Sequence, residues 1–188
     1  MSFMIAQDGS VPRTSSTSAG AAAEAIAFAI GESSLGQILV ARSTRGVCAI
    51  LIGTDKDELE ADLAARFPGA RLSHDESALR ADLKKVIRFV DKPASGLDLP
   101  LDLRGTPFQR RVWTALRAIP ASTTTTYTDV AQRIGAPRAV RAVASACAAN
   151  PLALAVPCHR VMRNDGSLAG YRWGVERKRA LINKEAAA

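Results

Sequence analysis

Cysteine is scarce in this chain: Cys48, Cys147 and Cys158 are the only three among 188 residues. An odd count with no CxxC pair argues against a disulfide framework or a cysteine-rich zinc site, and it suits a reducing, cytoplasmic setting. Long apolar runs are missing too. None approaches the roughly 20 residues of a membrane span, so no membrane partner is expected. The N-terminus lacks a basic start followed by an apolar stretch, which argues against a secretory leader. Acidic residues are thin in one half only. Residues 104–188 hold 14 Lys/Arg against 4 Asp/Glu, a net +10, whereas residues 1–103 come to −3. That asymmetry points to a polyanion meeting the second half; ordinary surface solubility is the plain alternative.

The stretch "GSVPRTSSTSAGAAA" has almost nothing to bury, and residues 1–23 read as a flexible tail. Three β-rich runs follow, "AIAFAI", "QILVA" and "VCAILIG", separated by turn signals, which predicts a small antiparallel meander. A first helix is expected to be capped at Thr54 with Asp57 three residues on, burying Leu59, Leu63 and Phe67. A second carries Leu79, Leu83, Val86, Ile87 and Val90 on one stripe. These elements form an α/β unit over residues 24–92, and residues 93–105 read as a linker.

The basic half, 106–188, opens on a capping box: Thr106, Pro107 at the first helical position, and Gln109. Phe108, Val112, Leu116 and Ile119 line that helix, which stops at Pro120. A short helix is expected after Thr128, ending at Gly135, and another over residues 138–149. Together the two read as a helix-turn-helix with Arg138 and Arg141 near the start of its second helix. Generic helix packing explains the apolar positions equally well.

In "AVPCHRV", Cys158 stands directly before His159. Neighbours in an extended segment point to opposite faces, so a working pair needs a bent backbone or a water between them. A small core cysteine with a basic neighbour is the bland reading, and the apolar run before it would raise a thiol's pKa.

The stretches "FQRRVWTALRAIP", "RAVRAVASACAAN", "VPCHRV" and "GYRWGVERKRALI", with "LGQILVARSTRGVCAILIG" upstream, closely resemble the O6-alkylguanine-DNA alkyltransferases over about residues 24 to 185. The resemblance implies a ribonuclease H-like α/β N-terminal domain and a mainly α, winged-helix-like C-terminal domain. It implies a monomer acting on double-stranded DNA that carries O6-alkylguanine, with O4-alkylthymine as a second candidate substrate. No cofactor and no metal are expected. By motif position Cys158 takes the alkyl group as a thiolate, the strong soft nucleophile available near neutral pH. The thioether product is not hydrolysed, so each molecule acts once.

The same resemblance makes His159 the water-linked base and Glu185 the carboxylate that orients it. Asn150 becomes the hinge tying the third helix to the cysteine segment. It assigns Arg141 to filling the gap left by a flipped base, Tyr127 to the target phosphate, and Thr128, Arg138 and Asn164 to backbone contacts. Val161 and Tyr171 are assigned to the guanine pocket. Taken alone, Glu185 reads as solvated surface, Tyr127 as core and the Tyr171 loop as a packed turn.

The chain departs from the family at "ASTTTTY", where cysteine or arginine with glycine is common, and at Thr128, where glutamine is common. Cys48 and Cys147 read as core residues. A family zinc domain with four cysteines is not expected here. Three competing readings are a non-catalytic lesion-binding DNA protein, a cysteine hydrolase and a transcriptional regulator. The first would replace the acceptor cysteine, the second needs an oxyanion hole, and the third needs an effector or dimerisation module.

Overall fold

The computed structural model describes residues 23–188, so the expected N-terminal tail lies almost wholly outside the described residues. Three strands open the chain, β1 (Ala25–Ser33), β2 (Gly36–Ser43) and β3 (Gly46–Gly53), followed by α1 (Lys56–Arg66), β4 (Arg71–His74) and α2 (Glu76–Asp91). The three apolar runs pair antiparallel, as expected. The sheet is nevertheless mixed, in the order β3-β2-β1-β4, because β4 joins β1 in parallel. That short strand, "RLSH", carries one apolar residue and gives no periodic signal, so the sequence does not announce it.

Asp55, not Thr54, caps α1: its carboxylate accepts the Glu58 amide at 2.9 Å. Leu59 and Leu63 are buried as expected, and Phe67 ends the helix. Along α2, Leu79, Leu83, Val86 and Val90 are buried and Ile87 is partly so, which lays the expected stripe against β1 and β2.

The outer edge of β3 is covered by two segments from further along the chain. Val47 exchanges backbone hydrogen bonds with Pro100 and Asp102, at 2.7 and 2.8 Å. The Ile50 amide takes the Pro151 carbonyl at 2.9 Å, and the Ile50 carbonyl accepts from Ala153 at 3.0 Å. An edge strand left bare would template another chain; here it anchors the segment that leads to Cys158.

The helical half holds α3 (Pro107–Arg117), β5 (Thr125–Thr126), α4 (Tyr127–Arg133), α5 (Val140–Ala148), β6 (Val161–Met162) and α6 (Val175–Ala186). The capping box of Thr106 and Gln109 forms, with Pro107 inside the first turn. Trp113 is buried, and its indole N–H donates to the Ala146 carbonyl at 2.9 Å, which locks α3 to α5. α4 starts earlier than expected because Thr126 caps it in a second box with Asp129. Gly135 adopts φ 68°, the left-handed conformation that ends such a helix without strain. α5 starts later than expected, so Arg138 lies in the turn before it and Arg141 in its first turn.

The threonine run has a structural role. Thr125 pairs with Val161 and Thr126 with Met162 in a two-strand parallel sheet. Thr123 donates to the Pro120 carbonyl at 2.8 Å, and Ser122 donates to the Glu185 carbonyl. Among the described residues no helix is long and apolar enough to cross a membrane.

Candidate active site

Cys158 opens a single 3-10 turn, Cys158–Arg160, between Pro157 and β6. The backbone there is bent rather than extended, which is the condition under which neighbouring side chains need not oppose each other. The turn is held from behind by Asn150, fully buried just past α5. Its side-chain amide donates to the carbonyls of Val156 (2.9 Å) and Leu152 (3.3 Å) and approaches Cys158 Sγ at 3.4 Å, while its oxygen accepts from the Leu152 amide at 2.9 Å. Between them Leu154 sits at φ 70°, a backbone region L-residues rarely occupy, and its apolar side chain is buried.

His159 is fully buried. Its Nε2 lies 2.8 Å from Glu185 Oε1, and its Nδ1 is buried with no protein partner. Glu185, expected as frayed surface from its neighbours alone, is 2 % exposed. Arg160 completes the cluster: its Nε donates to Oε2 (2.9 Å), its Nη2 to Oε1 (2.8 Å), and its Nη1 to the Ile119 carbonyl (2.6 Å). Burial opposes ionisation of Glu185, but the hydrogen bonds from His159 and Arg160 outweigh it and hold the carboxyl at about 2. Burial lowers the His159 pKa against the pull of Glu185, so the neutral ring donates from Nε2 and keeps the Nδ1 lone pair free.

Burial also pushes the Cys158 thiol up to about 11, opposed by the Asn150 amide and by the Lys178 cation. Lys178 is fully buried on α6, and its ammonium donates to the Val161 carbonyl at 2.5 Å. Desolvation lowers its own pKa. Neither Arg160 nor Lys178 is singled out by sequence reasoning. A buried lysine facing only a carbonyl has no local sequence signature, and Arg160 reads as one more charge of a basic half.

Cys158 lies on the wall of a cavity of about 550 Å³ that is open to solvent. Its lining includes Tyr127, Cys147, Arg163, Ala169, Tyr171 and Arg172. Cys147 is thus buried as expected, yet it also borders the cavity. Cys48 is an ordinary sheet-core residue. Tyr127 is partly exposed, and burial raises its phenol to about 12. The Tyr171 ring stands edge-on to His159 (centroids 6.5 Å) and to Trp173 (5.1 Å), and its hydroxyl is buried without a partner. Val161 is fully buried and lies outside the cavity lining.

Arg138, Arg141 and Asn164 are exposed, and Thr128 donates to the Asn164 side chain at 3.0 Å. The fold therefore brings Cys158, His159, Glu185 and Asn150 into one buried cluster. Tyr127 and Tyr171 face its cavity, and the polar residues assigned to backbone contacts lie on the surface. Among the described residues no cluster of His, Cys, Asp or Glu is arranged to hold a metal ion.

Comparison with known proteins gives a consistent set of relatives. Residues 107–187 match the family described as 6-O-methylguanine DNA methyltransferase, DNA binding domain. The chain is 49% identical over 162 residues to the bifunctional transcriptional activator/DNA repair enzyme Ada of Escherichia coli strain K12, covering 86% of this chain and 46% of that protein. It thus spans about half the length of the Ada proteins it matches. With the inducible methylated-DNA--protein-cysteine methyltransferase of Bacillus subtilis it shares 42% identity over 120 residues, 64% of this chain and 67% of the relative. Among solved structures, OGT of Mycobacterium tuberculosis in complex with DNA superposes with a TM-score of 0.73 at 33% identity, covering 86% of this chain and 93% of that one.

Proposed function

This chain belongs to the O6-methylguanine-DNA methyltransferase family, and from that premise we propose that it repairs DNA by moving the O6-alkyl group of guanine irreversibly onto Cys158. The observation that carries this reading is the acceptor's setting: a thiol on the wall of an open cavity, next in sequence to a buried histidine whose Nδ1 is free and whose Nε2 is fixed by Glu185.

The free thiol is protonated at neutral pH, since burial holds its pKa near 11. His159 Nδ1 takes its proton, through a water, as the sulfur attacks. An S–C bond forms in line with the breaking O6–C bond, and the electron pair stays on the guanine, which gains a proton. The imidazolium is stabilised by a Glu185 carboxylate that remains ionised throughout. Lys178 favours the thiolate as it forms.

Double-stranded DNA is the partner, with the target base flipped into the cavity; among the structures similar to this chain is a DNA complex. Tyr127 meets the target phosphate, and Arg141 fills the vacated stack, offsetting part of the few kcal/mol that flipping costs. Thr128, Arg138 and Asn164 contact the backbone, which suits a lesion that occurs in any sequence context. Tyr171 forms the guanine pocket wall. We read residues 24–92 as a ribonuclease H-like domain and 106–188 as a winged-helix-like one with α4 and α5 as its helix-turn-helix. The protein acts as a cytoplasmic monomer.

Intact-protein and peptide mass spectrometry after mixing with a duplex carrying one O6-methylguanine tests the reading, beside a Cys158→Ala control and an O4-methylthymine duplex. One methyl group per protein on the Cys158 peptide, absent from the control, is expected. Tight lesion binding without transfer would favour the lesion-binding alternative instead.

A further inference from the structure

The loop that closes the cavity, residues 169–173, has no regular structure of its own, and Ala169, Gly170, Tyr171 and Arg172 all line the cavity. A loop of this kind takes its position from whatever grips it. Two grips come from the N-terminal half. Arg172 Nη2 lies 2.7 Å from Asp62 Oδ1 on α1. Arg177 donates its Nε to the Leu35 carbonyl in the β1–β2 turn and its Nη1 to the Trp173 carbonyl, both at 2.8 Å. Asp62 is itself held, because its other oxygen takes Arg66 Nε at 3.2 Å one helical turn along. The carboxylate is thus fixed between an arginine of its own helix and an arginine of the cavity loop. Arg172 is flanked by Tyr171 and Trp173, whose rings meet edge-on, and Tyr171 reaches His159.

We propose that Asp62 is a positioning residue for the cavity: through Arg172 it holds the 169–173 loop inward and sets how large an alkyl group the cavity takes. The proposal rests on reading the cavity as the alkylguanine pocket. A partly exposed ion pair contributes little to stability, so the effect of Asp62 is geometric rather than energetic. Small displacements of a pocket wall matter more to transfer from a methyl group, which needs close in-line approach, than to a larger group that fills a widened pocket. The N-terminal half, which supplies no group to the proposed chemistry, thereby gains a part in specificity.

The test compares wild type, Asp62→Ala, Arg172→Ala, the double variant and Asp62→Asn. Single-turnover transfer rates are measured from duplexes carrying O6-methylguanine or O6-benzylguanine, and amide hydrogen exchange is followed over residues 169–174. Both single alanine variants are expected to raise the benzyl-to-methyl rate ratio about tenfold, with the double variant no worse than either. Exchange in the loop should quicken in each. Asp62→Asn keeps the shape beside Arg66 and guards against a folding defect; it should shift the ratio in the same direction. An unchanged ratio in well-folded Asp62 variants overturns the proposal. So does an Asp62→Ala effect that persists in full without Arg172, since it then runs through Arg66. If wild type transfers no methyl group, the proposed function fails, and loop exchange alone decides whether Asp62 holds the loop.

Discussion

Glu185 Oε1 lies 2.8 Å from His159 Nε2, and the same carboxylate receives two donors from Arg160, so one buried anion near the chain's last residues fixes both residues that follow Cys158. The last helix, α6, therefore reaches back to orient the proposed base, and the Ser122 bond to the Glu185 carbonyl pins the helix end.

Acid sensitivity follows from that carboxylate. Its pKa falls from 4.5 to about 2 on folding, so its contribution is fully present above pH 4.5 and is lost as pH drops toward 2. At neutral pH this amounts to about 3 kcal/mol. Glu185→Gln should lower urea stability most above pH 4.5, with the gap to wild type narrowing as pH falls. It should also slow alkyl transfer, because the imidazolium loses its counter-ion. A gap that stays constant with pH would sink the account.

Cys158 should be a sluggish thiol in the free protein. Its iodoacetamide reactivity, read by peptide mass spectrometry, should climb about tenfold per pH unit between 7 and 10 without a plateau. Lys178→Met removes the buried cation that favours the thiolate and should cut that reactivity further at every pH in the range. Because folding raises this thiol's pKa from 9 to about 11, the stability it contributes is present below pH 9 and lost as pH rises through 11. A plateau near pH 8 would show instead that the resting protein already holds a thiolate.

Two further variants separate architecture from DNA contact. Asn150→Ala strands the Leu152 amide in the core and takes one of two donors from the Val156 carbonyl, which keeps the Cys158 amide, so it should cost about 2 kcal/mol of stability along with activity. Arg141 is exposed, and Arg141→Ala should leave stability within about 0.5 kcal/mol while lowering lesion transfer from duplex DNA about tenfold. Equal losses of stability in the two variants would contradict the division.

Local signals were readable wherever chemistry acts between near neighbours. The Thr106–Gln109 box, the α2 stripe and Gly135 all sit where the residues predict them, because each depends on contacts within about one or two turns. Boundaries slipped where two cap candidates stood within two residues of each other. Asp55 won over Thr54, and Thr126 opened α4 ahead of Thr128 because Asp129 stood three residues on to close its box. Strand β4 escaped because a short polar strand is created by its partner β1 rather than by its own pattern.

The cysteine motif and the resemblance it carries were written in consecutive residues, as was the division of charge between the halves. The sequence by itself therefore determined the family and singled out Cys158 as the proposed acceptor. Tertiary structure decided the rest: that Arg160 joins His159 on Glu185, that Lys178 is buried behind Val161, and that Asp62 grips Arg172. Each of those contacts joins different elements, 17 or more residues apart, and the largest separation is 110. Such pairings depend on how the elements meet, and no local periodicity encodes them.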